Sequence, residues 1–364
     1  MSDIIGNKLK LAIFGSSHEP YVGTSVSGLP AGIKISKNNI KQALTLRKGI
    51  DDISIGGKEN DDFKIISGEF NGYTSGDCLT IVMPNNNVRS ADYDKDILRP
   101  SHVDYMANIK YEGYNDYCGD GYFSGRSTAP LVAIGAILRD ILLSKNIVIG
   151  SFIKQVGEVN DISKEVFKEG LILTRNNPFP VYSLEIKEQM MKQIKQAKLE
   201  GGSIGGVLET IIMGIPVGIG EPYFNSIESV LSHLLFSIEG VKGVEFGLGI
   251  NMPRLRGSKA NDEIIYTNGR IETITNNYGG INGGFSSRIP IIVKTAFKPT
   301  PPILESQKSV NLKTKENCIL QLKERYDACI VHRARFAVES LICLGLMDLI
   351  TEEYGKQFFL KSEQ

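Results

Sequence analysis

The chain has 364 residues, and its 41 Lys plus Arg are balanced by 41 Asp plus Glu, so the formal net charge is zero. A general nucleic-acid binder would carry a basic excess, no apolar run approaches the ~18 residues of a membrane span, and the N-terminus MSDIIGNKLKLAIFG lacks a signal region. The expectation is a cytoplasmic protein with no membrane or nucleic-acid partner. Five scattered cysteines with no CxxC pair argue against a disulfide framework and against a metal site. Glycine is abundant, at 38 residues, above the typical share of roughly 7%.

Strand-like runs, rich in β-branched residues and punctuated by glycine, recur along the chain. In order they are Leu9–Phe14, Phe63–Ser67, Cys78–Met83, Val148–Ile153, Gly206–Met213, Val244–Ile250 and Ile289–Phe297. Between them lie helical patterns. Pro130–Lys145 and Arg333–Tyr354 are apolar on most faces and read as buried. Ile186–Glu200 is amphipathic, and Ser226–Ile238 has apolar residues at helical spacing. Residues Pro301–Asn317 read as a polar surface loop. The mixed order predicts an α+β fold with helices layered on sheets. No linker divides the chain, so it reads as a single domain over 1–364. Gly28-Leu29-Pro30-Ala31-Gly32 recurs as Gly214-Ile215-Pro216-Val217-Gly218, with Asn39 and Asn225 in the same register as candidate helix caps. This is either coincidence in a glycine-rich chain or the mark of two halves, about 1–180 and 181–350, related by a pseudo-twofold axis.

There is no P-loop, HExxH or GxSxG motif. Gly119–Gly125 nearly matches a dinucleotide fingerprint, but its third glycine is one place late and it follows a poor strand. An NAD(P)-dependent dehydrogenase is therefore a weak rival, as is a non-catalytic phosphate binder. The four histidines divide more usefully. His233, among apolar helical neighbours, reads as structural. His18 ends a strand in Phe14-Gly15-Ser16-Ser17-His18, and His102 follows Arg99-Pro100-Ser101 in what reads as the first turn of a helix. Each is either a functional group or a solvated turn residue. His332 enters the last long helix and is equally open. Arg126, Ser127 and Thr128 precede Pro130 at a helix N-terminus, which is either a place where amide donors and the helix dipole favour anions or an ordinary Ser/Thr cap with a surface arginine. Asn276–Gly284 and Lys298–Pro302 are a glycine-rich and a proline-stiffened loop.

Taken together these segments resemble the chorismate synthase family over nearly the whole chain. The resemblance rests on Phe14–His18, Arg99–Tyr105, Gly125–Thr128, Gly201–Gly220, Gly240–Gly247, Asn276–Gly284, Lys298–Pro301 and Arg325–Cys329, eight blocks in the family's order. Glu19 and Ser101 stand where the family usually has glycine. The basic stretch near Arg47 is reduced, and Lys58 stands where a further arginine is expected. The resemblance implies a β-α-β sandwich with pseudo-twofold halves and, usually, a homotetramer. The reaction it implies is the 1,4-anti elimination of phosphate from 5-enolpyruvylshikimate 3-phosphate. Reduced FMN is required without net redox change, and NADPH only where flavin reductase activity is present. It further implies that His18, His102 and Asp327 are catalytic. Expected cofactor contacts are Arg126, Ser127, Thr128, Glu239, Gly240, Gly283, Lys298, Pro299, Thr300, Pro301, Pro302 and Arg325. Expected substrate contacts are Ser17, Arg47, Arg99, Arg126 and Arg325, because guanidinium forks suit a substrate with two carboxylates and a phosphate.

Overall fold

The computed structural model describes residues 3–50, 52–54, 61–86, 95–163, 165–267, 269–322 and 326–360. In the first part of the chain the strands are β1 (Ile4–Ile5), β2 (Lys10–Gly15), β3 (Tyr21–Ser27), β4 (Lys64–Ser67), the small hairpin β5 (Glu69–Phe70) and β6 (Tyr73–Thr74), and β7 (Leu79–Pro84). The second part has β8 (Val148–Val156), β9 (Val159–Asn160), β10 (Gly206–Met213), β11 (Val241–Phe246), the short hairpins β12 (Ile264–Thr267) with β13 (Arg270–Thr273) and β14 (Ile281–Asn282) with β15 (Phe285–Ser286), then β16 (Ile291–Phe297). A last hairpin joins β17 (Gln307–Val310) to β18 (Asn317–Leu320). The helices are α1 (Lys37–Arg47), α2 (Asp104–Lys110), α3 (Thr128–Ser144), α4 (Lys168–Thr174), α5 (Leu184–Leu199), α6 (Ile227–Phe236), α7 (Gly257–Ala260) and α8 (Val331–Tyr354).

Two five-stranded sheets, each wholly antiparallel, enclose a helical layer. Their central strands alternate buried and partly exposed residues, as β7 and β16 show, so each sheet offers one apolar face to the helices. Helix α3 packs on β3 and β7 of the first sheet, and α8 on β8 and β10 of the second, while α3 and α8 pack on each other. The crossing depends on Gly135: a Cβ there would lie 1.9 Å from Ser340 Oγ. The run Gly125–Ser144 has the length and composition of a membrane span, contrary to the reading that no run approaches one, but it is mostly buried in this layer.

The two sheets repeat one design. The first has strand order β1-β2-β3-β7-β4 and the second β11-β16-β10-β8-β9. Setting β2, β3, β7 and β4 against β8, β10, β16 and β11 reproduces the neighbours, the chain order and the positions of α1 and α3 against α6 and α8. The repeated glycine motif follows β3 in one unit and β10 in the other. Gly28 and Gly214 both adopt left-handed φ, +100° and +89°, as do Gly32 and Gly218 at +86° and +85°. The expected asparagine caps are not the caps. Ser36 Oγ accepts from Asn39 N at 3.3 Å, and Ser226 Oγ from Ser229 N at 3.1 Å. Asn39 lies inside α1, which starts earlier than its pattern suggests, and Asn225 precedes its serine cap.

Other departures have local causes. The run Val244–Ile250 is a strand only as far as Phe246, because Gly247 and Gly249 take positive φ and turn the chain into a 3-10 segment. Residues 301–317 hold β17 and the start of β18 rather than a plain loop. Ser101 has φ +58° and His102 sits in the turn before α2, whose first residue is Asp104, rather than within its first turn.

Candidate active site

Equivalent helix ends from the two halves meet at one cavity of 380 Å³. The first half contributes the C-terminus of α1 at Arg47 and the turn Ser124–Thr128 that opens α3. The second contributes Ile238–Gly240 after α6 and the segment Tyr326–Ala334 that opens α8. Lys298–Pro302, directly after β16, form a wall, and His102 and Asp120 close another side.

Each cation in this cavity is positioned by its neighbours. Arg47 is 5% exposed; its Nη2 donates to Gly125 O at 2.8 Å and its Nε to Thr128 Oγ1 at 3.2 Å. Arg126 pairs with the buried Asp61 carboxylate and donates to Pro84 O and Asn85 Oδ1, each at 3.1 Å. Arg333 pairs with Asp327 and donates from Nε to Arg47 O at 3.1 Å, tying the start of α8 to the end of α1. Lys298 Nζ donates to Ser101 O at 3.1 Å. Thr300 Oγ1 donates to Asp327 O at 2.6 Å, which locks the proline wall against the aspartate's backbone.

His102 has the most strongly organised surroundings. Its Nδ1 lies 2.7 Å from Asp104 Oδ1 and its Nε2 3.0 Å from Asp120 Oδ1. Arg99 donates to both carboxylates, from Nη2 to Asp104 at 2.8 Å and from Nη1 to Asp120 at 2.7 Å. Burial alone would lower the imidazole pKa, but the hydrogen bond to Asp104 and the adjacent Asp120 carboxylate outweigh it and hold His102 up at about 9. It is therefore cationic at neutral pH. Glu239 faces the cavity from a solvent-open rim. The surrounding protein atoms, and next the Asp120 charge, push its carboxyl up to about 7.

His102, Asp327, Arg47, Arg126, Thr128, Glu239, Gly240 and the Lys298–Pro302 wall all line the cavity. Ser17 and His18 sit one layer away: Ser17 N donates to Gly121 O at 3.1 Å, so their loop leans on the turn that carries Asp120. Arg99 stands behind His102 and lines a neighbouring cavity of 790 Å³. Ser127 turns its hydroxyl to Ser124 O at 2.9 Å. Gly283 is the turn of the β14–β15 hairpin, beside the start of α6. Arg325 and Lys58 lie outside the described residues. His332 is buried, with Nε2 2.6 Å from Ser54 Oγ; burial and the adjacent arginines push its pKa down to about 3, so it is a neutral structural group. His233 is exposed on α6 rather than packed as a structural histidine.

Sequence reasoning missed Asp61, Asp120 and Arg333. Asp104, two residues after His102 within an already noted block, was the available signal for an imidazole partner. Asp61 and Asp120 gave none, because the chain brings them to their cations over separations of 65 and 21 residues.

An apolar wall of Ile238, Ile330, Ala334, Ala337 and three prolines faces a rim of fixed cations. A planar aromatic ring with an anionic tail fits that donor set, and so does a small polyanionic substrate. Fold and site together define an α+β protein with an arginine-rich cavity backed by an apolar wall. The family model described as chorismate synthase matches residues 9–351. Chorismate synthase of Pyrococcus abyssi is 41% identical over 345 residues, covering 94% of this chain and 96% of the relative. That of Dehalococcoides mccartyi strain BAV1 is 39% identical over 359 residues, with 96% of each covered. A crystal structure of chorismate synthase superposes with a TM-score of 0.74 at 26% identity, covering 96% of this chain and 94% of that one. The chain belongs to the chorismate synthase family, a family of lyases.

Proposed function

We propose that this enzyme forms chorismate from 5-enolpyruvylshikimate 3-phosphate by 1,4-anti elimination of phosphate, with reduced FMN required and no net oxidation or reduction. The observation that carries the reading is the cationic His102, held between two carboxylates in an arginine-rich cavity beside an apolar wall. Arg47, Arg126 and Lys298 gather the anionic groups of substrate and cofactor, since the guanidinium fork binds carboxylate and phosphate in two-point fashion. The wall Pro299–Pro302, with Ile330, Ala334 and Ala337, receives the flat ring and excludes water from it. When bound, reduced FMN supplies electron density to the substrate ring and takes it back, which a side chain alone does poorly. His102 places a positive charge and a proton where the departing phosphate develops charge. Asp327, fixed by Arg333 and by Thr300 at its backbone, holds a carboxylate at the flavin side to manage a proton at N5. His18 approaches from the adjacent loop to hold the reduced flavin, with Ser17 beside it; Arg99 and Arg325 complete the substrate contacts, and Ser127, Thr128, Glu239, Gly240 and Gly283 those of the cofactor.

We further propose a homotetramer working in the cytoplasm. The exposed hairpin β12–β13 carries Ile264, Tyr266 and Ile271, an apolar surface suited to self-association, and none of the five cysteines forms a disulfide. Anaerobic phosphate release with reduced FMN tests the reaction. Release should appear with reduced FMN and vanish with oxidised FMN or none; equal release under all three conditions contradicts the reading.

A further inference from the structure

Asp120 sits where an anion would be expected. One oxygen, Oδ1, lies 2.7 Å from Arg99 Nη1 and 3.0 Å from His102 Nε2. His102 and Asp120 line the cavity on this wall, and Arg99 stands directly behind them, beside the neighbouring cavity. The Nε2 contact is close, yet His102 Nε2 makes no well-aligned hydrogen bond there. Asp120 and His102 are therefore drawn together by charge, without the geometry of a permanent bond.

Asp104 differs in each respect. It accepts from Arg99 through Nε, Nη2 and the backbone N, at 2.9, 2.8 and 2.9 Å, and from His102 Nδ1 at 2.7 Å. That is a fixed partner that orients both cations. The Asp120 side chain is 28% exposed, while Arg99 and His102 behind it are 8% and 2% exposed. Its backbone has φ +68° and is followed by Gly121 at φ +51°, a left-handed turn that lifts the carboxylate onto the cavity side. Arg99, protonated His102, Asp104 and Asp120 sum to zero charge. Without Asp120 the group would carry one positive charge facing the cavity.

We propose that Asp120 is an internal anion, seated between Arg99 and His102, which the phosphate group of the substrate displaces. Asp120 holds the two cations in place and makes weak anions poor competitors for the site. A phosphate, with more charge and more acceptor oxygens than one carboxylate, takes over the same two donors. Asp104 stays bound throughout and keeps the imidazole oriented. The inference rests on the reading that phosphate departs beside His102, but its test needs no turnover.

The test is calorimetric titration of the full-length protein with inorganic phosphate, comparing wild type with Asp120→Asn. Asparagine keeps the shape and tolerates left-handed φ, and it removes the competing charge. Phosphate should bind the variant about 10-fold more tightly, and His102→Gln in the same background should abolish the gain. Asp120→Gly, equally at ease at this φ, should reproduce the gain and guards against an effect peculiar to asparagine. If Asp120 instead only braces the cations, removing its charge will weaken phosphate binding. Unchanged or weaker binding in both variants overturns the proposal. The proposed reaction is judged separately, by phosphate release with reduced FMN.

Discussion

The two halves of the molecule share strand order, glycine turns and helix positions, yet the helix ends they bring to the cavity carry different chemistry. In the first half, α1 ends on Arg47 and α3 opens with Arg126 and Thr128. In the second, the equivalent ends carry Glu239 and Gly240 after α6, and Asp327 and Arg333 at the start of α8. One half presents arginines, and the other an arginine paired with a carboxylate, a second carboxylate, a lysine and a proline-stiff apolar wall. A repeated scaffold places equivalent ends at one point. Only their substitution can make an asymmetric site there, with one side suited to anions and the other to a ring and a proton. The interior tells the complementary story, because α3 and α8 meet at Gly135 and Ser340 with no room for divergence.

That contrast can be broken from either side. The largest effect should come from His102→Ala, which removes the charge and proton proposed to meet the leaving group. Turnover should fall by about 10²–10⁴-fold, measured by phosphate release, with circular dichroism unchanged. Next is Asp61→Asn. Arg126 and Asp61 side chains are 8% and 2% exposed, so the arginine loses a buried counter-charge and unfolding free energy should drop by about 3–5 kcal/mol. Denaturant unfolding would reveal it, and added phosphate should recover part of the loss if Arg126 faces bound anions. No loss would mean that water or another carboxylate compensates.

The scaffold side is tested by Gly135→Ala, whose Cβ would lie 2.3 Å from Ser340 Cβ. Overpacking should cost about 1–3 kcal/mol, and combination with Ser340→Gly should restore only part of it, because the Ser340 Cα would still lie 2.8 Å from the new methyl. A smaller effect concerns pH. Because the folded pKa of His102 is raised to about 9, its protonated contacts with Asp104 and Asp120 contribute stability fully below the unfolded value near 6.5 and lose it as pH rises through about 9. Unfolding measured between these limits should show that decline in wild type and a flatter profile in His102→Gln. The smallest effect should be His233→Ala. The residue is exposed on α6, so stability should change by less than ~0.5 kcal/mol.

How much of this was legible in the sequence varies by kind of feature. Strands with strong β-branched runs, such as Gly206–Met213, were read to the residue, and the buried helices α3 and α8 were recognised from their apolar length. The strand Tyr21–Ser27 was not: YVGTSVS mixes glycine and serine into a central strand whose burial comes from α3. The repeat was visible only in its glycine turns, where positive φ constrains residue type, whereas the strand order that completes it has no local signature. In the site, residues within motif blocks, such as His102, Lys298 and Asp327, came from family resemblance. Asp61 and Asp120 act through long-range pairing with arginines, which no spacing rule reveals. His18 and Gly283 are not among the residues that line the cavity: the His18 loop leans on the turn carrying Asp120, and Gly283 turns the β14–β15 hairpin.

A crystal structure of the enzyme with FMN and 5-enolpyruvylshikimate 3-phosphate would show whether the cavity where equivalent helix ends converge receives both. The expected result is a ring against Pro299–Pro302 and Ala334, with anionic groups at Arg47, Arg126 and His102. Both ligands seated elsewhere, with those side chains untouched, would contradict it.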